Sequence, residues 1–283
     1  MRVGILGAGA YGTAMAGVLR DNRHRVKYFD PYRFPDVSIE DVLTFAQVLV
    51  IATPAEVISV LIKQLPGEAF HKPTIILTKG IMTLEYWDKF DYYEIISGPG
   101  FADEIAKKKR TKLTVAAKGA LEGKTLSEDL FANKYIKFDK TEDRIGVALL
   151  SGLKNIYAIE SGRRGLASPS ADFKEYAADA ARECERFLLY NGGFVETVRL
   201  SAGLGDLVLT CGSEMSRNYQ FGTLLGGRRR IAERKHLAKK FLRDNTVEGV
   251  FATKDIEKQG LGTPKENEIL TDAIRRIKNV IKR

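Results

Sequence analysis

Cysteine and histidine are scarce: 283 residues hold two cysteines, Cys184 and Cys211, and three scattered histidines. Two thiols are too few for a disulfide framework, and no CxxC or HxxxH spacing offers zinc a pair of ligands. Reduced thiols and no metal are therefore expected. Long hydrophobic runs are missing as well. None approaches the roughly 18 apolar residues that cross a bilayer, and the apolar start Met1–Leu6 is too short for a signal peptide. A cytoplasmic protein is the expectation. Internal repeats and low-complexity segments are also absent. What remains, 44% apolar and 29% charged residues, is the balance of a globular chain with one large or two ordinary domains. Forty-five basic against 36 acidic residues leave a formal charge of +9. That excess concentrates anions around the protein, phosphorylated ligands and nucleic acid alike.

Short β-rich runs alternate with helical segments up to about residue 140: Arg2 to Leu6, Val26 to Phe29, Gln47 to Ala52, Thr74 to Thr78, Tyr93 to Ser97, Lys112 to Ala117 and Tyr135 to Phe138. This pattern predicts an α/β sheet with helices on its faces. Beyond Thr141 the apolar residues recur at helical spacing, through Val147 to Ile159, Tyr176 to Leu189, His236 to Leu242 and Ile269 to Ile281. The expectation is an α/β domain over residues 1–141, shortened after its second strand, and an all-α domain over 142–283.

The first of these domains opens with Gly7-Ala-Gly9-Ala10-Tyr11-Gly12 between a β-type run and a helical one. In that setting the first glycine permits a tight turn, the second lets backbone amides approach a pyrophosphate, and the third lets helix pack on strand. The helix start then offers free N–H groups to the phosphates. Asp30 stands where an acidic residue would hold the adenosine ribose hydroxyls. It favours NAD slightly over NADP, whereas Arg33 beside it could hold a 2′-phosphate. The stretch Val50-Ile-Ala-Thr-Pro54 ends a buried strand on small residues, which suits backbone lying against a cofactor but also an ordinary turn.

Polar groups also interrupt segments that would fold more easily without them. Thr78-Lys79-Gly80 and Ser97-Gly98-Pro99-Gly100-Phe101-Ala102 each end a strand, where open α/β sheets bind ligands. Lys154 sits in the otherwise apolar helical pattern Val147 to Ile159. Such a lysine either snorkels to solvent or, partly desolvated, exchanges protons near neutrality. Asn155 beside it could hold a substrate hydroxyl. The segment Ser201 to Gly222 threads Asp206, Thr210, Arg217 and Asn218 through a glycine-rich helical pattern.

Taken in order, GAGAYGTAMA (residues 7–16), TKG (78–80), SGPGFADEI (97–105), LKNIYAI (153–159), AGLGDLVLTC (202–211), SRNYQFG (216–222) and VEG (247–249) closely resemble the bacterial type of NAD(P)-dependent glycerol-3-phosphate dehydrogenase. The resemblance implies a Rossmann-type dinucleotide-binding domain over residues 1–141, an all-α substrate and catalytic domain over 142–283, and reversible reduction of dihydroxyacetone phosphate to sn-glycerol 3-phosphate, the backbone of glycerophospholipids, with NAD or NADP. It implies that Lys154 is the proton-transferring lysine and Lys79 a second one near cofactor and substrate. Asp206 and Thr210 orient the lysine and the substrate, Ser216, Arg217 and Asn218 bind the phosphate, and Gly98, Gly100 and Asn155 line the substrate. Ala10, Tyr11, Ala102, Arg217 and Glu248 fall on cofactor-contacting positions. Its implied partner is a phosphorylated small molecule; no nucleic acid and no membrane span are expected from the residues, and the oligomeric state, a homodimer among the alternatives, stays open.

Three departures stand out. The loop after Asp30 leaves no room for an additional strand and helix before Ser38. Gly100 replaces a usual Ser or Thr, and Ala148 a usual Glu. The basic runs Lys107–Lys112 and Arg228–Lys235 lack interleaved aromatics and are read as solvated surface. Two rivals stay open: a non-enzymatic dinucleotide-binding sensor, and a related two-domain hydroxyacid or ketoacid reductase.

Overall fold

The computed structural model describes residues 1–81, 84–227 and 230–281, with Leu84 described in its backbone only. Two compact units divide the chain: Met1–Lys79 with Thr83–Val147, and Gly80–Met82 with Ala148–Arg283.

The first unit runs β1 (Arg2–Leu6), α1 (Ala10–Asp21), β2 (Arg25–Phe29), α2 (Ile39–Phe45), β3 (Val48–Ile51), α3 (Ile58–Gln64), β4 (Thr74–Ile76), α4 (Leu84–Trp87), β5 (Tyr93–Ser97), α5 (Ala102–Ala106), β6 (Thr111–Ala116), α6 (Leu126–Phe131) and β7 (Ile136–Thr141). All seven sequence-predicted strands are present, within a few residues of their expected ends. They form one sheet in the order β2-β1-β3-β4-β5-β6-β7, parallel except where β5 meets β6. Val48-Leu-Val-Ile51 is buried throughout because β3 lies inside a parallel sheet covered on both faces. The edge strand β2 is only half-buried, and α2 leads from it straight to β3, as the short loop after Asp30 requires. Ser38 starts α2 with a capping box shared with Asp41. Because β2 and β3 flank β1 on opposite sides, the strand order reverses at β1. The carboxyl end of β1 is therefore the crevice where open sheets take ligands.

In the second unit the helices are α7 (Arg144–Arg164), whose first turn is counted with the first unit, α8 (Ala171–Tyr190), α9 (Asp206–Cys211), α10 (Arg217–Leu225), α11 (Ile231–Asp244), α12 (Glu248–Lys258) and α13 (Glu268–Ile281). Phe173, Tyr176, Ala177, Ala180, Cys184 and Phe187 put the buried stripe of α8 against this unit's core at i, i+3, i+4 spacing. Buried Glu183 of α8 accepts the N–H groups of Ile269 and Leu270 at 2.8 and 2.9 Å, which closes the start of α13. Burial raises its carboxyl above the ordinary range. Among the described residues no helix is long and apolar enough to cross a membrane.

The glycine-rich segment from Ser201 is not one helix. Ser201–Gly205 is a π-helical turn that runs directly into α9, and Ser216 then caps α10. A side chain at Gly203 would fall 2.1 Å from the Val198 carbonyl oxygen, so the turn packs backbone to backbone on the preceding 3-10 turn, Val195–Arg199. Single π turns of this kind recur where a helix presents functional groups.

Candidate active site

In the first unit the turn after β1 is built by removing side chains. Gly7 holds φ +105°, which only glycine adopts at low cost, and a Cβ there would meet the Ala52 and Thr53 backbone at 2.9 Å. A Cβ on Gly12 would lie 2.5 Å from the Gly7 carbonyl oxygen. Gly9 differs, since a Cβ there meets nothing within 4 Å. It is the N-cap of α1 without any side-chain cap, and the amides of Ala10 and Tyr11 precede the first intrahelical bond, from the Thr13 N–H to the Gly9 carbonyl at 2.9 Å. Among the described residues two buried hydroxyls at strand ends of the same sheet, Thr53 Oγ1 after β3 and Ser97 Oγ ending β5, have no hydrogen-bond partner. Unspent donors at the carboxyl ends of the strands fit a dinucleotide's phosphates and ribose. Sequence reading valued the first stretch for its small residues and the second for polar groups at a strand end, without singling out either hydroxyl.

Asp30 does more than the motif required of it. Its Oδ2 accepts the Ala8 N–H at 2.8 Å, and its Oδ1 accepts those of Tyr32 and Arg33 at 3.0 and 3.2 Å. The carboxylate thus ties the glycine turn to the loop after β2, and Oδ2, with one donor, keeps capacity for a further bond. Lys79, at the carboxyl side of β4, sets its ammonium 5.2 Å from the Tyr11 ring centroid. Gly98 and Gly100 lie between β5 and α5, where Ala102 begins α5. Gly100 holds φ +149° and a Cβ there would touch Ile105, so a Ser at this position would be strained.

In the second unit a different construction holds Lys154. It is 3% exposed on α7 and pairs with the Asp206 carboxylate at the start of α9, itself 2% exposed. The lysine does not snorkel. Thr210, one turn along α9, donates to the other Asp206 oxygen at 3.3 Å, and the Cys211 thiol donates to the Lys154 carbonyl at 3.8 Å. Burial pushes that thiol well above its ordinary range, and Cys184 likewise, which leaves both as protonated packing groups.

A second polar chain runs beside this pair. Asn155 Nδ2 donates to Glu248 at 3.1 Å and to the Ser151 carbonyl at 3.0 Å, while its oxygen accepts from Asn218 Nδ2 at 2.8 Å. Asn218 in turn accepts the Gly249 N–H at 2.9 Å. Glycines permit the assembly: a Cβ on Gly222 would sit 2.0 Å from the Ile159 carbonyl oxygen, and one on Gly249 2.7 Å from that of Asn155. Helices α10 and α12 therefore meet α7 at backbone distance. Ser216 spends its oxygen on the Tyr219 N–H, and exposed Arg217 opens α10 beside it. Ala148 is buried and gives its carbonyl to the Ser151 hydroxyl, which also accepts the Gly80 N–H at 3.2 Å. Ser151 is a link that the sequence had not singled out.

Of the basic runs, Lys108, Lys109 and Lys112 pair with Asp21, Glu104 and Asp139. Arg234 binds the Gly227 carbonyl, while Arg228 and Arg229 lie outside the described residues. No group of three metal-ligating side chains gathers among the described residues.

Two family models match the chain, the C-terminus of NAD-dependent glycerol-3-phosphate dehydrogenase over residues 143–281 and the N-terminus over 34–121. A glycerol-3-phosphate dehydrogenase (NAD(P)+) of Roseobacter denitrificans is 32% identical over 263 residues, 80% of this chain and 81% of the relative. One from Zymomonas mobilis is 32% identical over 284 residues, 88% of this chain and 81% of the relative. The crystal structure of glycerol-3-phosphate dehydrogenase from Coxiella burnetii superposes with a TM-score of 0.77 at 24% identity, covering 100% of this chain and 99% of that one. This last likeness is one of fold.

Proposed function

The chain belongs to the glycerol-3-phosphate dehydrogenase family, and we propose that it catalyses the reversible NAD(P)H-dependent reduction of dihydroxyacetone phosphate to sn-glycerol 3-phosphate, supplying the glycerophospholipid backbone. The observation that carries this reading is the buried Lys154–Asp206 pair with Thr210 behind it. A charge pair so fully desolvated is weak evidence of stabilisation and fits a chemical role better.

The unit containing residues 1–79 is assigned the dinucleotide and the unit containing residues 148–283 the substrate. The α1 amides of Ala10 and Tyr11 would take the pyrophosphate, and Asp30 the adenosine ribose. A bound nicotinamide would supply the hydride for C2 of the ketone. Lys154 Nζ, oriented by Asp206, would give a proton to the oxygen that becomes the alcohol and take it back in the oxidation direction. Lys79 would add positive charge where that oxygen becomes an alkoxide. At the other end of the substrate, the planar fork of Arg217 suits a phosphate, aided by the start of α10 and by the Asn218 N–H not spent on Asn155. Holding the phosphate there positions the carbonyl, a large source of rate. Asp30 tilts the cofactor choice toward NAD.

The proposed setting is the cytoplasm, where two buried free thiols stay reduced. A homodimer is supported by the exposed apolar Leu189, Tyr190, Phe194 and Leu204, with Glu196 and Arg199 exposed among them in opposite charge. A two-fold copy would pair those charges. Light scattering should find a dimer that Leu189→Glu splits.

Steady-state reduction of dihydroxyacetone phosphate with NADH and with NADPH tests the function. Turnover with at least one cofactor is expected. Reduction of a ketoacid instead would favour the reductase alternative, and cofactor binding without any turnover the sensor.

A further inference from the structure

Three elements of the second unit line a solvent-open cleft of about 450 Å³: the end of α11, the first half of α12 and the end of α13. That is the size of small-molecule sites in general. Its floor is apolar, formed by Leu242, Val250, Phe251 and Val280. Its rim is cationic, with the exposed side chains of Lys239, Arg243 and Lys254. Asp244 is the one carboxylate in the lining, and it forms no ion pair with any of the three among the described residues. Lys254 stands 5.6 Å from the Phe251 ring centroid, so a face of that ring is covered by an ammonium and does not present itself to a flat base.

An apolar floor under unneutralised cations calls for a ligand with an aliphatic body and an anionic head. We propose that this cavity binds such an amphipathic anion, a carboxylate or phosphate monoester on an alkyl or acyl chain, and that its occupancy alters turnover through α12. The chain gains by leaving water for Val250 and Phe251, and the head gains from three positive charges that form no ion pair among the described residues. A cationic amphiphile gains only the first, and inorganic phosphate only the second.

The position of the cavity supplies the coupling. Val247 and Val250 of the first turn of α12 line it, and the two residues between them reach the opposite way. Glu248 accepts from Asn155, and the Gly249 N–H donates to Asn218. A ligand that shifts this turn therefore shifts partners of the residue that follows Lys154. Gly249 allows no slack, because α12 already touches the α7 backbone there. The coupling rests on the dehydrogenase reading above, whereas binding can be measured without turnover.

Calorimetric titration with octyl phosphate and with octanoate is the test. One saturable site per chain is expected for at least one of them, weakened tenfold or more by Arg243→Glu with Lys254→Glu. Both residues are exposed and lie outside the proposed catalytic set, so basal kcat should hold. Stronger binding of octyl phosphate would identify a phosphate monoester as the ligand, and of octanoate a free acyl carboxylate. Equal binding of octyltrimethylammonium, or affinity untouched by the charge reversal, would overturn the site. In the wild type, saturating ligand should change kcat or KM at least twofold, and the doubly substituted protein should not respond. Full occupancy by calorimetry with unaltered kinetics would refute the coupling.

Discussion

The glycine turn of the first unit and the Lys154 cluster of the second are opposite ways to make a reactive surface. The turn works by absence: Gly7 and Gly12 let backbones touch, and Gly9 brings no side chain to the start of α1. The cluster works by presence, with Lys154, Asp206, Thr210, Asn155 and Asn218 buried and mutually bonded. Backbone donors cost little to leave near solvent, and a ligand can take them as it finds them. Buried side-chain charges must be paired before any ligand arrives, or the helix that carries them is destabilised. The first construction should thus tolerate changes that leave space open, whereas the second should fail as a unit.

The comparison breaks hardest at Lys154. Lys154→Ala should lower kcat by about 10²- to 10⁴-fold. It also strands a buried Asp206, at a cost of about 3–5 kcal/mol in denaturant unfolding. A variant that reduces the ketone at the wild-type rate would refute the proton-transfer role. Replacing Gly12 and Gly9 separates folding from binding within the turn. Gly12→Val drives atoms into the Gly7 carbonyl and should lower both the melting temperature and cofactor affinity. A Cβ at Gly9 meets no protein atom within 4 Å, so with Gly9→Ala melting should barely move while cofactor binding weakens about tenfold or more, roughly 1.4 kcal/mol by titration.

Asp30 tests whether the first site is wholly a matter of backbone. Asp30→Ala removes the acceptor of three N–H groups and should cost about 1–3 kcal/mol. It should also relax the preference for NADH over NADPH in paired assays; an unchanged ratio would limit Asp30 to holding the loop. The smallest effect belongs to Glu160, buried on α7. Burial raises its carboxyl, but the hydrogen bonds and charges of Arg163 and Arg164 outweigh that and hold it below the usual 4.5. A depressed carboxyl binds fewer protons folded than unfolded, so it stabilises the fold above its unfolded value and ceases to as pH falls through its folded one. Glu160→Gln should flatten the loss of stability below about pH 4.5 in acid titrations followed by circular dichroism. An acid limb as steep as the wild type's would remove Glu160 from that account.

The seven strands were legible because each is a local run of β-branched and apolar residues, and α8 and α13 because their buried stripes repeat at helical spacing. The π turn at Ser201–Gly205 was not legible. Its Gly203 answers to Val198, and it leads into Asp206, whose lysine partner lies 52 positions upstream. The same holds for Ser151 holding Gly80 and for Glu183 closing α13, since no local pattern announces a partner distant along the chain.

By itself the sequence determined the order of strands and helices, the glycine turn at residue 7 and the lack of a disulfide framework, all of which rest on neighbours within a few residues. Only the tertiary structure decided that Lys154 is buried against Asp206 and does not snorkel, that Asp30 organises a loop, and that one face of α12 holds Asn155 and Asn218 while another lines a cavity. Burial is the physical reason. Whether a charge is solvated, paired or offered to a ligand depends on which distant segment excludes water from it, and the chain shows that only once it has folded.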